Sequence, residues 1–183
     1  MKLAVEKILK KNVLVVGAGI KTGLNIRIDN PAQLGSDLVV DSVAAIVEYP
    51  APLLIFDLGT ANTVCVIDKN KNYIGGMIYP GIGVSLDSLT AHASQLGGIS
   101  IEAPEHMIGK NTTECMKSGL IYSSAAAMDG IIDRLQEQLG GEATVIATGG
   151  LAKKIVPHCR REIILDDDLL LKGLAIIYKK NRK

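Results

Sequence analysis

The chain has 183 residues and a formal net charge of +1, and 48% of its residues are hydrophobic while 21% are charged. This balance is typical of a folded globular protein with a sizeable core and excludes a largely disordered chain. A net charge so close to zero argues against nucleic acid or an anionic membrane as a partner. The basic residues at 179–183 are therefore predicted to be a solvated tail.

The cysteines and the first residues of the chain indicate a cytoplasmic protein. Cys65, Cys115 and Cys159 are odd in number and far apart, and none belongs to a CxxC pair. They are predicted to be reduced, and the three histidines do not have the spacing of a metal site. Residues 1–12 lack a continuous apolar segment, so neither a signal peptide nor a membrane span is predicted.

In chain order, the first predicted elements are a helix over residues 2–10 and a buried strand over residues 13–17. The glycine-rich residues 17–23 follow, but their spacing is not GxGxxG and the next residues look extended rather than helical. This pattern favours a loop that needs positive φ or close approach to a ligand over a dinucleotide-binding fold.

A helix that is apolar on most faces is predicted over residues 38–47, directly after Gly35, Ser36 and Asp37. Asp37 lies in its first turn. From the sequence alone, the favoured interpretation is a carboxylate that caps the helix and complements its dipole. The alternative is a general base close to the chemistry.

Residues 53–68 form the central stretch, in which two apolar runs flank the sequence Asp-Leu-Gly-Thr-Ala-Asn-Thr at 57–63. The pattern predicts a strand, a tight turn and a second strand, and residues 73–81 add a third strand to an antiparallel meander. Backbone N–H groups and hydroxyls in such a turn can bind phosphate, with Asp57 beside a cation. A plain β-hairpin is the alternative.

The second half of the chain is predicted to contain four helices and two strands. A helix follows Gly81, and residues 97–108 are irregular. A long helix begins at the cap Asn111 and runs to about Leu139. Its small residues 118–119 and 123–127 predict a helix-packing or subunit face rather than a ligand site. A strand over 144–148 ends in two glycines, against which a nucleotide can lie. A short helix, a strand at 162–165 and a final helix follow, and the aspartates 166–168 are predicted to complement the dipole of that helix rather than bind metal.

This order of elements predicts a mixed α/β domain of the ribonuclease-H-like kind. Six segments then resemble, in order and spacing, the type III pantothenate kinases, members of the superfamily of acetate kinase, sugar kinases, heat-shock proteins and actin. The segments are residues 17–23 with 29–31, 35–37, 57–63, 75–76 with 80–81, 109–112 and 147–152. The resemblance implies an actin-like ATPase fold, a mixed sheet with flanking helices. Residues 51–183 are expected to form an essentially complete second lobe, and residues 1–50 the remnant of a mostly absent first lobe.

The resemblance also implies a reaction, the ATP-dependent phosphorylation of pantothenate in coenzyme A biosynthesis, by a homodimer. Asp37 matches the catalytic aspartate, Asp57 a ligand of a monovalent cation (potassium or ammonium), and Thr60 an ATP contact. Magnesium is expected with ATP. The remaining matches are nucleotide contacts at Gly59, Gly149 and Gly150, the substrate-pocket segment Gly35, Ser36, Asp37 and Leu38, and Thr112 as a pantothenate contact offered by the partner subunit.

Three positions depart from the family pattern. Leu38 stands where the family usually has an arginine, Ile28 stands where it usually has a tyrosine, and no Asp-x-Gly-Asn-Thr turn precedes Val13. Because phosphoryl transfer depends on positioned donors, impaired turnover by this chain is expected. The alternatives are a non-catalytic regulatory or binding relative, and a kinase for another hydroxylated substrate.

Overall fold

The computed structural model describes residues 2–93 and 95–182. That part of the chain forms a six-stranded sheet in the order β1-β4-β3-β2-β5-β6. The strands are β1 (Asn25–Ile26), β2 (Leu53–Leu58), β3 (Ala61–Ile67), β4 (Asn72–Pro80), β5 (Thr144–Thr148) and β6 (Ile164–Leu165). The helices are α1 (Lys2–Leu9), α2 (Ser36–Glu48), α3 (Ile82–His92), α4 (Thr112–Leu139), α5 (Ala152–Ile155) and α6 (Leu169–Asn181).

The sheet is mixed. β2, β3 and β4 form an antiparallel meander, whereas β5 runs parallel to β2 and β6 runs parallel to β5. At the other edge, the short β1 pairs in parallel with the start of β4. The predicted meander and the predicted mixed α/β class are confirmed.

Helices cover both faces of the sheet. Successive residues of a strand point to opposite faces, and β2 is apolar on both. Leu54, Phe56 and Leu58 join one core cluster with buried residues of α4, whereas Leu53 and Ile55 join another with buried residues of α2. This pattern explains why β2 is an almost continuous apolar run in the sequence.

Close packing of α2 against α6 completes the second layer. Gly173 of α6 lies so near Val40 of α2 that a Cβ at Gly173 would overlap the Val40 carbonyl oxygen. A polar contact joins the same two helices, since Lys172 Nζ of α6 donates to Glu48 Oε2 at 2.8 Å. Lys172 Nζ also donates to Asp166 Oδ2, just before α6, at 2.7 Å. The Tyr49 hydroxyl also donates to Asp166 Oδ2, at 2.8 Å, so the C-terminal end of α2 is held against the residues before α6.

Local signals predicted α4 well. The Asn111 side chain accepts a hydrogen bond from the Glu114 N–H at 2.9 Å, and Gly140 ends the helix in a left-handed conformation with φ 75°. Both the predicted cap and the predicted end are confirmed. No helix in the described ranges has the length and apolar character needed to cross a membrane.

The predicted strand over residues 13–17 is wrong. Residues 13–16 have no regular secondary structure, and Leu14 and Val15 are 39% and 55% exposed. A strand needs a partner for its backbone hydrogen bonds, and the position beside β4 is taken by β1. The last strand is also shorter than predicted, with Ile164–Leu165 instead of residues 162–165.

The predicted lobe boundary at residue 50 falls between α2 and β2. On either side of it, α2 packs against β2, and β1 belongs to the same sheet as the meander. Residues 25–48 therefore help to build the layered unit around the sheet, and the division into a first-lobe remnant and a second lobe stays a prediction.

Candidate active site

The carboxyl ends of β2 and β5 form the first part of the candidate site. Asp57 is the second-last residue of β2 and pairs with Thr148 of β5 and Thr63 of β3. β2 and β5 are parallel, so the turns that follow them lie at the same end of the strands. In α/β sheets, ligands bind outside the carboxyl ends of the strands.

The turns after β2 and β5 are in contact. Gly149 has φ 92°, and a Cβ there would lie against Asp57 Oδ1 and 2.6 Å from the Leu58 backbone nitrogen. The Leu151 N–H donates to the Leu58 carbonyl oxygen at 3.2 Å, which fixes one turn against the other. The four predicted nucleotide contacts lie in these two turns: Gly59, Thr60, Gly149 and Gly150.

The start of α2 forms the second part. Gly35 is the N-cap residue, and because it has no side chain it makes no capping hydrogen bond. Asp37 lies in the first turn of the helix. A Cβ at Gly35 would lie 2.5 Å from Asp37 Oδ1, so the carboxylate folds back over the glycine. A carboxylate here complements the helix dipole, and its exposure also leaves it accessible to a substrate.

Electrostatic coupling links these two parts. The pKa of Asp57 is raised by burial and then by the negative charge of Asp37. The pKa of Asp41 is raised to about 7, first by burial and then by the negative charges of Asp57, Asp37 and Asp166. Asp37, Asp41 and Asp57 therefore form one group of electrostatically coupled carboxylates.

Sequence reasoning missed Asp41. The residue is only 3% exposed, and its Oδ1 has no hydrogen-bond partner among the described residues. The neighbouring Ser42 Oγ is also buried and without a partner there. One signal was available, because Asp41 follows Asp37 by four residues and so lies on the same side of α2.

A cavity of about 530 Å³ opens beside Asp37. It is bordered by the loop before α2, the start of α2, the beginning of β3 and the middle of β4. Its lining residues are Ile28, Asp29, Asn30, Gln33, Leu34, Gly35, Asp37, Leu38, Ala61, Thr63, Val64, Tyr73, Gly75, Gly76, Met77 and Ile78.

Three of the predicted substrate-pocket residues, Gly35, Asp37 and Leu38, border this cavity. Ser36 instead borders a smaller cavity of about 280 Å³ on the other side of the start of α2. Thr112 is the exposed first residue of α4 and is not among the residues that line the larger cavity.

The residues at the carboxyl ends of β2 and β5 are suited to binding phosphate groups, and Asp57 is suited to binding a cation. Gly149 leaves room beside Asp57 that a Cβ would fill, and its left-handed backbone suits a turn that presents N–H groups. The half-buried Asp57 offers oxygen donors, which hard cations prefer. No group of three or more His, Cys, Asp or Glu side chains arranged for a metal ion occurs in the described ranges.

The sheet order and the glycine turns beside Asp57 define a ribonuclease-H-like domain of the actin-like ATPase class. A solved structure of the ethanolamine utilization protein EutJ from Carboxydothermus hydrogenoformans has this chain's fold with TM-score 0.51, at 15% identity over 96% of this chain and 70% of its own. A protein described as a Baf family transcriptional activator from Campylobacter jejuni aligns with TM-score 0.60, at 22% identity over 97% of this chain and 78% of its own.

Sequence comparison is more specific. The family model for type III pantothenate kinase matches residues 1–134. Proteins named type III pantothenate kinase are 46% identical over 96% of this chain in Bacillus cytotoxicus and 44% identical over 99% of it in Halalkalibacterium halodurans. The chain therefore belongs to the type III pantothenate kinase family, as its motifs indicated.

The match does not extend over the full relatives. The chain spans 67% of the Bacillus cytotoxicus protein, 73% of the Halalkalibacterium halodurans protein and 66% of a third relative, from an Exiguobacterium species, to which it is 46% identical. This chain thus corresponds to about two thirds of the length of these relatives.

Proposed function

We propose that this protein transfers the γ-phosphoryl group of ATP to the primary hydroxyl of pantothenate, the reaction after which its family is named. One observation carries the proposal. Asp37 borders the cavity next to β3 and β4 and is also electrostatically coupled to Asp57, at the edge where the two glycine turns meet. A hydroxyl in the cavity is thereby placed near a carboxylate, with phosphate-binding turns close by.

In this proposal, Asp37 is the general base. An ionised carboxylate within hydrogen-bond reach of the substrate hydroxyl accepts its proton as the oxygen attacks phosphorus. Asp57 holds a monovalent cation, potassium or ammonium, at the end of β2. Magnesium, when bound with ATP, neutralises phosphate charge.

The other residues have positioning roles. Gly59, Thr60, Gly149 and Gly150 contact ATP through the two turns at the sheet edge. Thr112 contacts pantothenate from the partner subunit of a homodimer, which is compatible with its position outside the lining of the cavity of its own chain.

The protein is proposed to be cytoplasmic. The three cysteines Cys65, Cys115 and Cys159 are free thiols, which fits a reducing compartment.

The substitution Asp37→Asn tests the catalytic role. It keeps the shape of the side chain and removes the base, so we expect phosphoryl transfer to fall by about 10²–10⁴-fold with little change in substrate affinity. The measurement is a coupled kinase assay with ATP, magnesium and potassium. Asp87→Asn, at an exposed position of α3, is the matched control and should retain the wild-type rate.

A second candidate function is a binding protein without catalysis. The apolar side chains Leu38 and Ile28 both line the cavity at positions where the family usually has groups that contact the substrate. Calorimetry with pantothenate separates the two functions. Binding with no detectable ATP turnover favours the binding protein, whereas turnover that is lost in Asp37→Asn favours the kinase.

A further inference from the structure

The turn between β2 and β3 carries two of the proposed ATP contacts, Gly59 and Thr60. Two N–H groups from other parts of the chain hold this turn. The Leu151 N–H donates to the Leu58 carbonyl oxygen, just before the turn, at 3.2 Å. The Gly81 N–H donates to the Thr60 carbonyl oxygen, at the end of the turn, at 3.0 Å. The turn is therefore fixed on both sides.

Gly81 lies directly against this turn. It follows Pro80, the last residue of β4, which pairs with Ala61 at the start of β3. A Cβ at Gly81 would overlap the Gly59 carbonyl oxygen and would lie 2.6 Å from the Thr60 carbonyl oxygen. Both are backbone atoms, so no side-chain rotation can make room. A side chain at position 81 therefore requires the turn itself to move.

The backbone conformation of Gly81 does not require glycine. Its φ of −74° and ψ of 165° are accessible to residues with side chains. Gly149 differs in this respect, because its φ of 92° favours glycine whatever lies around it. At position 81, contact with the turn is thus what excludes a side chain.

We propose that Gly81 is a positioning residue for the phosphate groups of ATP and acts through the β2–β3 turn. The inference rests on the proposed function, in which Gly59 and Thr60 contact ATP. Gly81 supports the turn from the side of β4, and Gly149 supports it from the side of β5. Phosphoryl transfer depends on positioned groups, and a displacement of about 1 Å can lower its rate by about 10²-fold.

The test is Gly81→Ala, with Gly83→Ala as the matched control. Both changes add one methyl group near the start of α3, but a Cβ at Gly83 meets no heavy atom within 4 Å outside its chain neighbours and its own helix backbone. Calorimetry measures binding of pantothenate and, with magnesium, of a non-hydrolysable ATP analogue. The coupled kinase assay measures turnover.

We expect Gly81→Ala to bind the ATP analogue at least ~10-fold more weakly and to turn over about 10²-fold more slowly. Its affinity for pantothenate should stay close to that of the wild type, because Gly81 is not among the described lining residues of the larger cavity. A general loss of structure would weaken both ligands together. Gly83→Ala should match the wild type in all three measurements.

Hydrogen exchange in the wild type provides a second test, which does not depend on the folding of a variant. Because the Gly81 N–H is bonded to the Thr60 carbonyl oxygen, binding of the ATP analogue to the turn should slow exchange of this amide several-fold, as measured by NMR. The control amide is the Ala93 N–H, which donates to the Leu89 carbonyl oxygen at the other end of α3 and should be unaffected.

The outcomes separate the inference from the proposed function. If the wild type binds the analogue and a folded Gly81→Ala binds it equally well, or loses both ligands to the same extent, the inference is overturned and the proposed function stands. If Gly81→Ala does not unfold cooperatively in urea, the exchange measurement decides, and an unchanged rate at the Gly81 amide overturns the inference. If the wild type does not bind the analogue, the proposed function fails and the inference fails with it.

Discussion

The ionisation of the buried Asp41 makes the stability of the fold depend on pH. Burial, which is the largest cause, and the negative charges of Asp57, Asp37 and Asp166 together raise its pKa from 3.8 to about 7. The folded protein therefore binds this proton more tightly than the unfolded chain does. The resulting stabilisation is complete below pH 3.8 and is lost as the pH rises through about 7.

Asp41→Asn should therefore stabilise the protein at alkaline pH. The amide keeps the shape of the protonated carboxyl and cannot ionise, so we expect the free energy of unfolding at pH 8 to rise by up to roughly 4 kcal/mol. Near pH 4 the two proteins should be almost equally stable. Urea denaturation at several pH values measures this difference, with Asp87→Asn as an exposed control. A difference between Asp41→Asn and wild type that does not depend on pH contradicts the prediction.

The sequence pointed to Asp37 and Asp57 for a local reason. Each stands next to a glycine-containing turn, and such turns carry their chemistry in a few consecutive residues. Asp41 lies inside a run of apolar helix residues, and two of the charges that raise its pKa, those of Asp57 in β2 and Asp166, come from residues later in the chain. The raised pKa of Asp41 depends on how α2 packs against the sheet. The residues next to Asp41 in the sequence do not indicate how that packing occurs.

At the scale of elements, the same distinction explains which predictions succeeded. α4 has both its cap at Asn111 and its glycine end at Gly140, and the meander has short turns between apolar runs, so neighbouring residues determine these elements. The apolar residues 13–16 have strand propensity, but a strand also requires a partner edge. That requirement is non-local, and β1 pairs at the edge in their place.

The contact between α2 and α6 allows a test at this scale. A Cβ at Gly173 would overlap the Val40 carbonyl oxygen, a rigid backbone atom, so Gly173→Ala must move one helix away from the other. Overpacking of this kind costs about 1–3 kcal/mol, which outweighs the helix propensity that alanine adds. We expect a lower free energy of unfolding in urea and, because α2 carries Asp37, a lower kinase rate.

The matched control is Gly83→Ala in α3. No heavy atom outside its immediate chain neighbours and the backbone of its own helix lies within 4 Å of a Cβ built at Gly83, so alanine is accommodated there without movement. Its stability should equal or slightly exceed that of the wild type. Equal stability of Gly173→Ala and Gly83→Ala would show that the two helices do not pack as closely as the structure has them.

For the whole molecule, the proposed homodimer requires a surface on which a second copy can pack. Ala125 of α4 is buried in the core of its own chain, whereas Ser123, Ala126 and Ala127 are exposed. We call these three residues the small-residue face of α4. Small side chains allow the backbone of another helix to approach closely, so this face is where we expect the partner subunit of the proposed homodimer to pack.

Light scattering coupled to size-exclusion chromatography should then give twice the 19.4 kDa mass of one chain. Ala126→Arg places a long charged side chain on the small-residue face and should shift the protein to a monomer without unfolding it, since Ala126 is exposed. Ala126→Ser keeps a small side chain and should remain dimeric. Because Thr112 is proposed to reach the substrate from the partner subunit, Ala126→Arg should also weaken pantothenate binding in calorimetry. A dimer that persists in Ala126→Arg places the subunit interface on another surface.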